Sequence, residues 1–333
     1  MVTVRSSRRS RPSRRGRRAA SAALALLIDA LVGDEPLQPH PVALFGNAMT
    51  VLERRLWDDR RGPGLAYTAS GVGAALVAGS LLDRLPGGAA AAAYASVAGR
   101  GLWGAAGNVA AALETGDVEG ARQLLPALVG RDPARLPPGE IARAAVESVA
   151  ENTVDGIVAP VLFATLYGAA GVLAYRGINT LDSMVGYRDG RYGRFGWASA
   201  RADDVANLVP SRLTALLVAA VRPQAAGGIW ATVRRDAPAH PSPNAGIAEA
   251  AFAAALGVRL GGTNSYQGAV EERPLLGPVG GRSPVAADIA AAVRCSKQVT
   301  ALLSALLVGS AVASVVAGRR RPRREADEMR RTK

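Results

Sequence analysis

Three carboxylates recur at every fourth position just before an apolar run. The segment "VESVAENTVDGIVAPVLFA", residues 146–164, contains Glu147, Glu151 and Asp155. Residues at this spacing share one face of an α-helix. A solvated surface is the simplest explanation of such a stripe. Carboxylates beside a membrane are nevertheless costly unless they are hydrated, paired or bound to a cation, so the stripe also fits a magnesium site.

A second polar stretch, residues 179–213, mixes oxygen ligands with arginines. Its acids and carboxamides suit a hard cation, and its arginines suit phosphate or carboxylate groups. The arginines equally fit a cytoplasmic loop that follows the positive-inside rule. No Walker-type glycine loop or dinucleotide fingerprint accompanies them. The candidates in this stretch are Asn179, Asp182, Arg188, Arg201, Asp203 and Asp204.

Histidine and cysteine are scarce, which limits the metal chemistry. The chain has one cysteine, Cys295, and two histidines, His40 and His240, each next to a proline. Neither a disulfide framework within the chain nor a zinc site of several histidines or cysteines is expected. A bound metal would therefore be a hard cation held by oxygen. Each histidine fits either acid–base chemistry or the capping of a tight turn.

The charge pattern points to a membrane rather than to nucleic acid. The formal net charge of +13 comes entirely from residues 1–18 and 319–333, and residues 19–318 are neutral overall. Basic residues that flank apolar segments are typical of cytoplasmic ends, whereas no basic face with a reading element is present. We therefore predict a multi-pass protein of the inner cell membrane, in contact with lipid, with both basic tails in the cytoplasm.

The apolar runs predict four crossings, with six as the alternative, because two cytoplasmic tails require an even number. A crossing takes about 20 residues. The N-terminal run fits a retained, short or re-entrant helix better than a secretory signal, because Asp29 interrupts it and no convincing cleavage site follows. The strong candidates are 62–82, 156–175 and 298–318, and the weaker ones are 19–33, 87–113 and 205–221.

The expected fold is an all-α, polytopic helical protein with sizeable polar helical and loop regions between its spans. Residues 19–318 are predicted to form one membrane-embedded domain between a disordered basic tail, 1–18, and a basic tail, 319–333. Amphipathic helices are expected after the N-cap residue Asp117 and from Pro138. A small-residue helix is expected over residues 245–256.

Four ordered blocks together resemble the CobD/CbiB family, the adenosylcobinamide-phosphate synthases. They read "GDEPLQPHPV" (33–42), "ESVAENTVDGIVAP" (147–160), "NTLDSMVGYRDGRYGRFGWASARADDVANLVPSRL" (179–213) and "SPNAGIAEAAFAAALGVRLGG" (242–262). The resemblance extends over about residues 19–316, and the order and length of the blocks make it specific. The family usually has Gly-Asp-Pro where this chain has Gly33-Asp34-Glu35, which puts the local geometry there in doubt.

The resemblance implies an integral membrane enzyme of cobalamin biosynthesis. It would join aminopropanol, or its O-phosphate, to a propionate carboxylate of adenosylcobyric acid by an amide bond. A carboxylate is a poor acyl donor, so ATP and Mg²⁺ are expected, with an acyl phosphate as the plausible intermediate. Other membrane enzymes of the same pathway are candidate partners.

Combined with residue chemistry, the resemblance suggests roles for individual residues. Asn179, Arg188 and Arg201 would orient anionic groups, and His40 and Asn244 would line the corrinoid side. Glu151, Asp155, Asp182 and His40 are the catalytic candidates. The metal and nucleotide would be held by Glu147, Glu151, Asp155, Asp182, Asp203 and Asp204.

A straight span over 156–175 would place the two acid clusters on opposite faces of the membrane. Either Pro160 or the "GAAG" at 168–171 breaks this helix, as is tolerated where backbone lines a cavity, or only one cluster is catalytic. We expect a broken or buried segment.

Two other functions fit parts of the pattern. A magnesium-dependent membrane phosphoalcohol transferase also uses clustered aspartates, but its usual Asp-Gly-x-x-Ala-Arg opening is absent, because Asp189-Gly190 leads into Arg191-Tyr192. A corrinoid transporter or scaffold is the non-catalytic alternative, although transporters commonly show related halves and none is evident here.

Overall fold

The computed structural model describes residues 13–33, 38–130, 133–187, 190–266 and 269–331. Helices dominate these ranges, which confirms the predicted all-α membrane fold. The exception among them is one antiparallel hairpin of two strands, β1 (Leu260–Tyr266) and β2 (Ala269–Leu276). The helices are α1 (Arg14–Val32), α2 (Pro41–Leu56), α3 (Arg61–Leu82), α4 (Gly88–Tyr94), α5 (Gly99–Glu114), α6 (Val118–Leu124), α7 (Pro138–Thr153), α8 (Ala159–Val185), α9 (Trp197–Ala206), α10 (Leu208–Val221), α11 (Ala226–Asp236), α12 (Ala245–Leu256) and α13 (Ala286–Arg331).

Helix ends that depend on local chemistry lie where the sequence predicts them. The Asp117 side chain caps α6 by accepting a hydrogen bond from the Gly120 amide at 2.8 Å. Pro138 opens α7, where its missing N–H costs nothing. Helix α12 covers the predicted residues and ends at Gly257, whose φ of 72° lies in the left-handed region that favours glycine.

Three helical stretches are long and apolar enough to cross a membrane within the described ranges: Arg61–Leu82, Pro138–Tyr167 and Ala286–Ala317. The pair α9–α10, bent by 42°, makes a fourth if it counts as one span. When the bent pair is counted as one span, the described ranges contain four candidate crossings, which is the number that the sequence predicts. Helices α1, α4 and α5, which cover the runs 19–33 and 87–113, are not among these stretches.

The predicted span over 156–175 was wrong in its bounds. The helical stretch begins at Pro138 and ends at Tyr167, and 61% of its most apolar window is buried inside the protein. Much of this stretch therefore lies against other parts of the protein, which accommodates the charged residues of 138–155.

Both basic tails contribute to helices. Helix α1 begins at Arg14, five residues before the predicted domain start, and α13 extends to Arg331. The Ser13 side chain caps α1 and its hydroxyl lies 2.8 Å from that of Ser314, which joins the first helix to the last. The expectation of disorder was therefore wrong for residues 14–18, while residues 1–12 lie outside the described part of the chain.

Helix α8 reverses direction at Gly168. This residue has φ 77° and ψ −152°, a conformation essentially restricted to glycine. The Phe163 and Tyr175 rings stack at 4.9 Å, although twelve residues of straight helix would separate them by about 18 Å. The segment is thus a helical hairpin, with a first arm that continues α7 through Tyr167 and a second arm over residues 169–185.

Two charged side chains from other helices satisfy the backbone at this reversal. Arg18 of α1 donates to the carbonyl groups of Leu166 and Tyr167, which end the first arm. Asp83, just after α3, accepts hydrogen bonds from the amides of Ala169 (2.9 Å) and Ala170 (3.3 Å), which begin the second arm. The turn is therefore closed by a cation at a helix C-terminus and an anion at a helix N-terminus, the favourable arrangement for helix dipoles.

Asp83→Ala should lower the free energy of unfolding by about 1–2 kcal/mol, because it leaves the first amides of the second arm without an acceptor. The measurement is unfolding by sodium dodecyl sulfate in mixed micelles, followed by circular dichroism. Asp59→Ala serves as the matched control, since this exposed carboxylate forms a long contact of 3.8 Å with the exposed Arg194. Equal stability of the two variants would contradict the capping role.

Helix α3 packs closely along the second arm because glycines remove side chains at their contact. A Cβ atom on Gly79 would lie 2.5 Å from the Ala169 carbonyl oxygen, and one on Gly71 would lie 2.9 Å from Leu181. Small residues at helix contacts are the usual means of close packing in membranes. This packing holds the second arm, and the polar residues on it, against the first.

Candidate functional site

The hairpin brings the two predicted acid clusters together. Asp155 and Asn179 are 24 residues apart, yet Asn179 Nδ2 donates to Asp155 Oδ2 at 3.2 Å. A straight helix would separate them by about 36 Å. The same Nδ2 lies 3.3 Å from Asp203 Oδ1. One amide thus bridges carboxylates from two clusters, which resolves the geometric difficulty in favour of a broken segment.

Two further side chains complete this group. Asn207 Nδ2 donates to Asp203 Oδ2 at 3.1 Å, and the Tyr175 hydroxyl donates to Asn207 Oδ1 at 3.0 Å. Tyr175 is fully buried, and its hydroxyl also lies 3.4 Å from Asp155 Oδ1. We call these five residues, Tyr175, Asp155, Asn179, Asp203 and Asn207, the acid centre.

Local backbone geometry presents Asp155 to the acid centre. Residues Val154–Val158 form a π-helical turn between α7 and α8. Such turns insert one extra residue into a helix and are frequent at functional sites. Pro160 follows in the first turn of α8, so the proline adjoins the π-helical turn while the reversal itself occurs at Gly168.

Helical spacing explains how three segments reach one point. Polar residues recur at every fourth position on each of the three segments. They are residues 147, 151 and 155 on the first arm, 175 and 179 on the second arm, and 203, 207 and 211 from α9 into α10. Each set forms one face of its helix. The acid centre lies where these three polar faces meet.

Asp182 and Asp204 lie at the edge of the acid centre. Burial of the Asp182 carboxyl group, together with the nearby charges of Asp203 and Asp204, raises its pKa to about 7. Asp204 forms a 3.4 Å ion pair with the exposed Arg201, so this predicted anion-binding arginine already contacts an acid of the chain.

Asn244 joins the start of α12 to the same region. Its Nδ2 donates to the Asp204 carbonyl oxygen at 2.7 Å, and its Oδ1 accepts from Ser211 at 3.1 Å and from Arg212 at 3.3 Å. The predicted site residue Asn244 is therefore beside the acids, although its described bonds are to protein groups.

Glu147 belongs to a different contact. Its carboxylate accepts from Arg143 Nη1 at 3.1 Å, with both side chains about 95% buried, and from the Gly261 amide at 2.8 Å. Arg143 also donates to the Thr263 carbonyl oxygen. Glu147 thus fastens the β-hairpin to α7, and its predicted role at a metal stays a prediction.

Glu151 faces a buried pair that sequence reasoning did not select. Glu249 of α12 is 1% exposed. Its burial, and to a smaller extent the nearby charges of Glu151 and Glu147, raise its pKa well above the ordinary value of a glutamate side chain. His240 Nε2 lies 3.5 Å from Glu249 Oε1, and burial lowers the His240 pKa. Both shifts favour the uncharged form of each group in this buried pair.

The other histidine lies elsewhere. His40 is the N-cap of α2, where its Nδ1 accepts from the Val42 amide at 3.3 Å. This is the turn-capping alternative that the sequence left open, and a catalytic role for His40 stays a prediction. Arg188 falls outside the described residues, so the structure does not place it.

The donor atoms of the acid centre suit a hard cation. Two carboxylates and two carboxamides converge there, and Mg²⁺ in proteins is commonly held by one or two carboxylates together with substrate phosphates. In the described ranges, no group of three or more His, Cys, Asp or Glu side chains is arranged to hold a metal. The six predicted acids therefore do not form one metal-binding cluster in these ranges, and the predicted metal site stays a prediction.

Sequence reasoning missed Tyr175, Arg176 and Glu249. Tyr175 lies four residues before Asn179, so the helical spacing that identified the acidic stripe would also have identified it. Arg176 was read as the end of the apolar run. Glu249 stands alone among alanines, and its position opposite Glu151 depends on the packing of α12.

Known proteins align with nearly the whole chain. The model of the CobD/Cbib protein family matches residues 22–296. The chain is 48% identical over 309 residues to the cobalamin biosynthesis protein CobD of Mycobacterium tuberculosis, covering 90% of this chain and 96% of that protein. The protein of the same name from Geobacter metallireducens is 47% identical, and the match covers 76% of this chain and 84% of that protein. The one from Brucella anthropi is 39% identical, and the match covers 89% of this chain and 97% of that protein.

No solved structure matches the chain significantly. The matched residues include the hairpin, the acid centre and α12, and they contain all four sequence blocks in full. Together with the coverage of full-length relatives, this shows that the chain belongs to the CobD/CbiB family of cobalamin biosynthesis proteins.

Proposed function

We propose that this membrane protein is an ATP-dependent amide ligase that joins aminopropanol, or its O-phosphate, to a propionate of adenosylcobyric acid. Its family supports a role in cobalamin biosynthesis and hence a corrinoid substrate. The observation that carries the proposal is the acid centre, in which the carboxylates of Asp155 and Asp203 both approach the side-chain amide of Asn179.

An amide ligase has to neutralise phosphate charge and to deprotonate an amine. Mg²⁺, when bound, would neutralise the phosphates of ATP, and Asp155 and Asp203 are the residues proposed to hold it. Asn179 and Asn207 fix both carboxylates by donating to them, so their oxygens are oriented in advance.

The other polar residues around the acid centre have proposed roles as well. Asp182 is assigned to accept the proton of the substrate ammonium, because its carboxyl group is buried beside the centre. Asn244, held between α9 and α10 by its hydrogen bonds, is assigned to the corrinoid side. ATP is proposed to transfer its terminal phosphate to the propionate, with release of ADP. The deprotonated amine then attacks the acyl carbon, and the new C–N bond forms as the C–O bond to phosphate breaks and phosphate leaves.

The test is incubation of the detergent-purified protein with adenosylcobyric acid, ATP, Mg²⁺ and either aminopropanol or its phosphate. We expect a corrinoid product whose mass corresponds to the new amide, detected by liquid chromatography and mass spectrometry. Folded protein that forms no amide with either amino substrate would refute the ligase assignment.

Glu151→Gln and Asp182→Asn should each lower turnover by about 10- to 100-fold, since both change carboxyl groups beside the acid centre. Expression and elution in gel filtration should be unchanged. The matched control is Glu119→Gln, which alters an exposed carboxylate of α6 paired with Arg122. Full activity in both site variants would show that the chemistry takes place elsewhere.

A further inference from the structure

A small cavity adjoins the acid centre on the side of α5. Its volume is about 210 Å³, below the roughly 300–1,000 Å³ of typical pockets for drug-sized ligands. A corrinoid ring system does not fit into this space, whereas a molecule of a few carbon atoms does. The residues around it include Ala98, Leu102, Leu128, Asn152, Gly156 and Arg176.

Arg176 is the charged residue among those that line the cavity. Its Nε atom is buried and has no hydrogen-bond partner within the described part of the chain. Its Nη1 reaches Asn179 Oδ1 at a long 3.5 Å. A buried polar group without a partner is costly, and guanidinium groups bind phosphate oxygens with two parallel hydrogen bonds. The cavity thus contains a cation with unused donor capacity.

The cavity and the acid centre are contiguous. Gly156 belongs to the π-helical turn that also carries Asp155, and Arg176 precedes Asn179 by one turn of the second arm. Arg176 and Asp155 are close enough to interact electrostatically. A ligand with an anionic group on Arg176 would therefore extend a cationic or neutral end toward the Asp155 carboxylate.

We propose that this cavity is the subsite for the amino alcohol and that Arg176 binds the phosphate of its O-phosphate ester. The inference rests on the proposed function, because it assigns the smaller of the two substrates to a place beside the acid centre. Arg176 is then the residue that makes the enzyme prefer the phosphate ester over the free amino alcohol.

The test compares the KM values of both amino substrates in Arg176→Met and Arg176→Lys. Loss of a charge-assisted hydrogen bond should raise the KM of aminopropanol phosphate by about 10- to 100-fold in Arg176→Met. The KM of free aminopropanol should change by less than about threefold, and Arg176→Lys should lie between wild type and Arg176→Met. Arg54→Met, an exposed change on α2, is the matched control and should leave both values unchanged.

Equal losses with the two amino substrates would overturn the proposal, because they would indicate a structural role for Arg176. Unchanged KM values would overturn it as well. Failure of the proposed function differs from both outcomes, since wild-type protein would then form no amide with either substrate.

If Arg176→Met does not fold, Ala127→Phe provides an independent test. Ala127 is an exposed residue at the rim of the cavity, so the larger side chain narrows the cavity without entering the core. The KM of both amino substrates should rise and that of the corrinoid should not. A rise in the KM of the corrinoid alone would overturn the proposal, because the amino substrates would then not occupy the cavity.

Discussion

Asp155→Asn is expected to lower kcat for amide formation by about 1,000-fold. The substitution removes one of the two carboxylates of the acid centre and with it most of the proposed affinity for Mg²⁺, in a site where such electrostatic terms are large. The asparagine is nearly the same size and keeps one oxygen that can accept the hydrogen bond from Asn179, so the local fold should persist. The measurement is the initial rate of cobinamide product formation at saturating substrates.

A variant of Asp203, the other carboxylate of the acid centre, tests whether the two aspartates hold one cation. If Asp155 and Asp203 hold one cation, the double variant should be little worse than either single variant, because residues that act as a unit are not additive. Asp59→Asn, which changes an exposed carboxylate, is the control. An Asp155→Asn protein that keeps more than half of its activity would exclude the acid centre from the chemistry.

Gly168→Ala is expected to lower the free energy of unfolding by about 2–4 kcal/mol. An alanine at φ 77° and ψ −152° is strained, and its Cβ would lie 2.7 Å from Asp83 Oδ1. The clash displaces the carboxylate that caps the second arm. Titration with sodium dodecyl sulfate in mixed micelles measures the change.

Gly73→Ala is the matched control, because a Cβ there meets no atom within 4 Å in the middle of α3. Alanine also favours helix more than glycine does, so this variant should be as stable as wild type or more so. Gly168→Ala should additionally reduce ligase activity, since the reversal brings Asn179 to Asp155. Equal stability of the two variants would contradict the strain argument.

Elements defined by local chemistry could be predicted from the sequence. Capping by Asp117, the proline at the start of α7 and the bounds of α12 all depend on a few neighbouring residues, and all three were confirmed. The reversal at Gly168 is different, because a glycine within "GAAG" has no local feature that requires a positive φ. It depends on Asp83 and Arg18, which come from distant helices.

The candidate site was predictable in its residue types but less so in its partners. Helical spacing selected Asp155, and the oxygen-ligand chemistry of the second polar stretch selected Asn179 and Asp203; these three residues are neighbours in the fold. The helical stripe also included Glu147 as a candidate ligand. Arg143 lies four residues before Glu147, and an acidic and a basic residue at this spacing on a helix commonly form an ion pair. That pairing removes Glu147 from the acid centre and could have been inferred from the sequence.

The reversal in α8 also bears on how ligands reach the acid centre. A hairpin turns the chain back along itself, so the second arm runs antiparallel to the first, and Val185 lies on the same side of the Gly168 turn as Pro138. Ligands that reach the acid centre by way of the ends of the hairpin arms therefore approach it from the side opposite that turn.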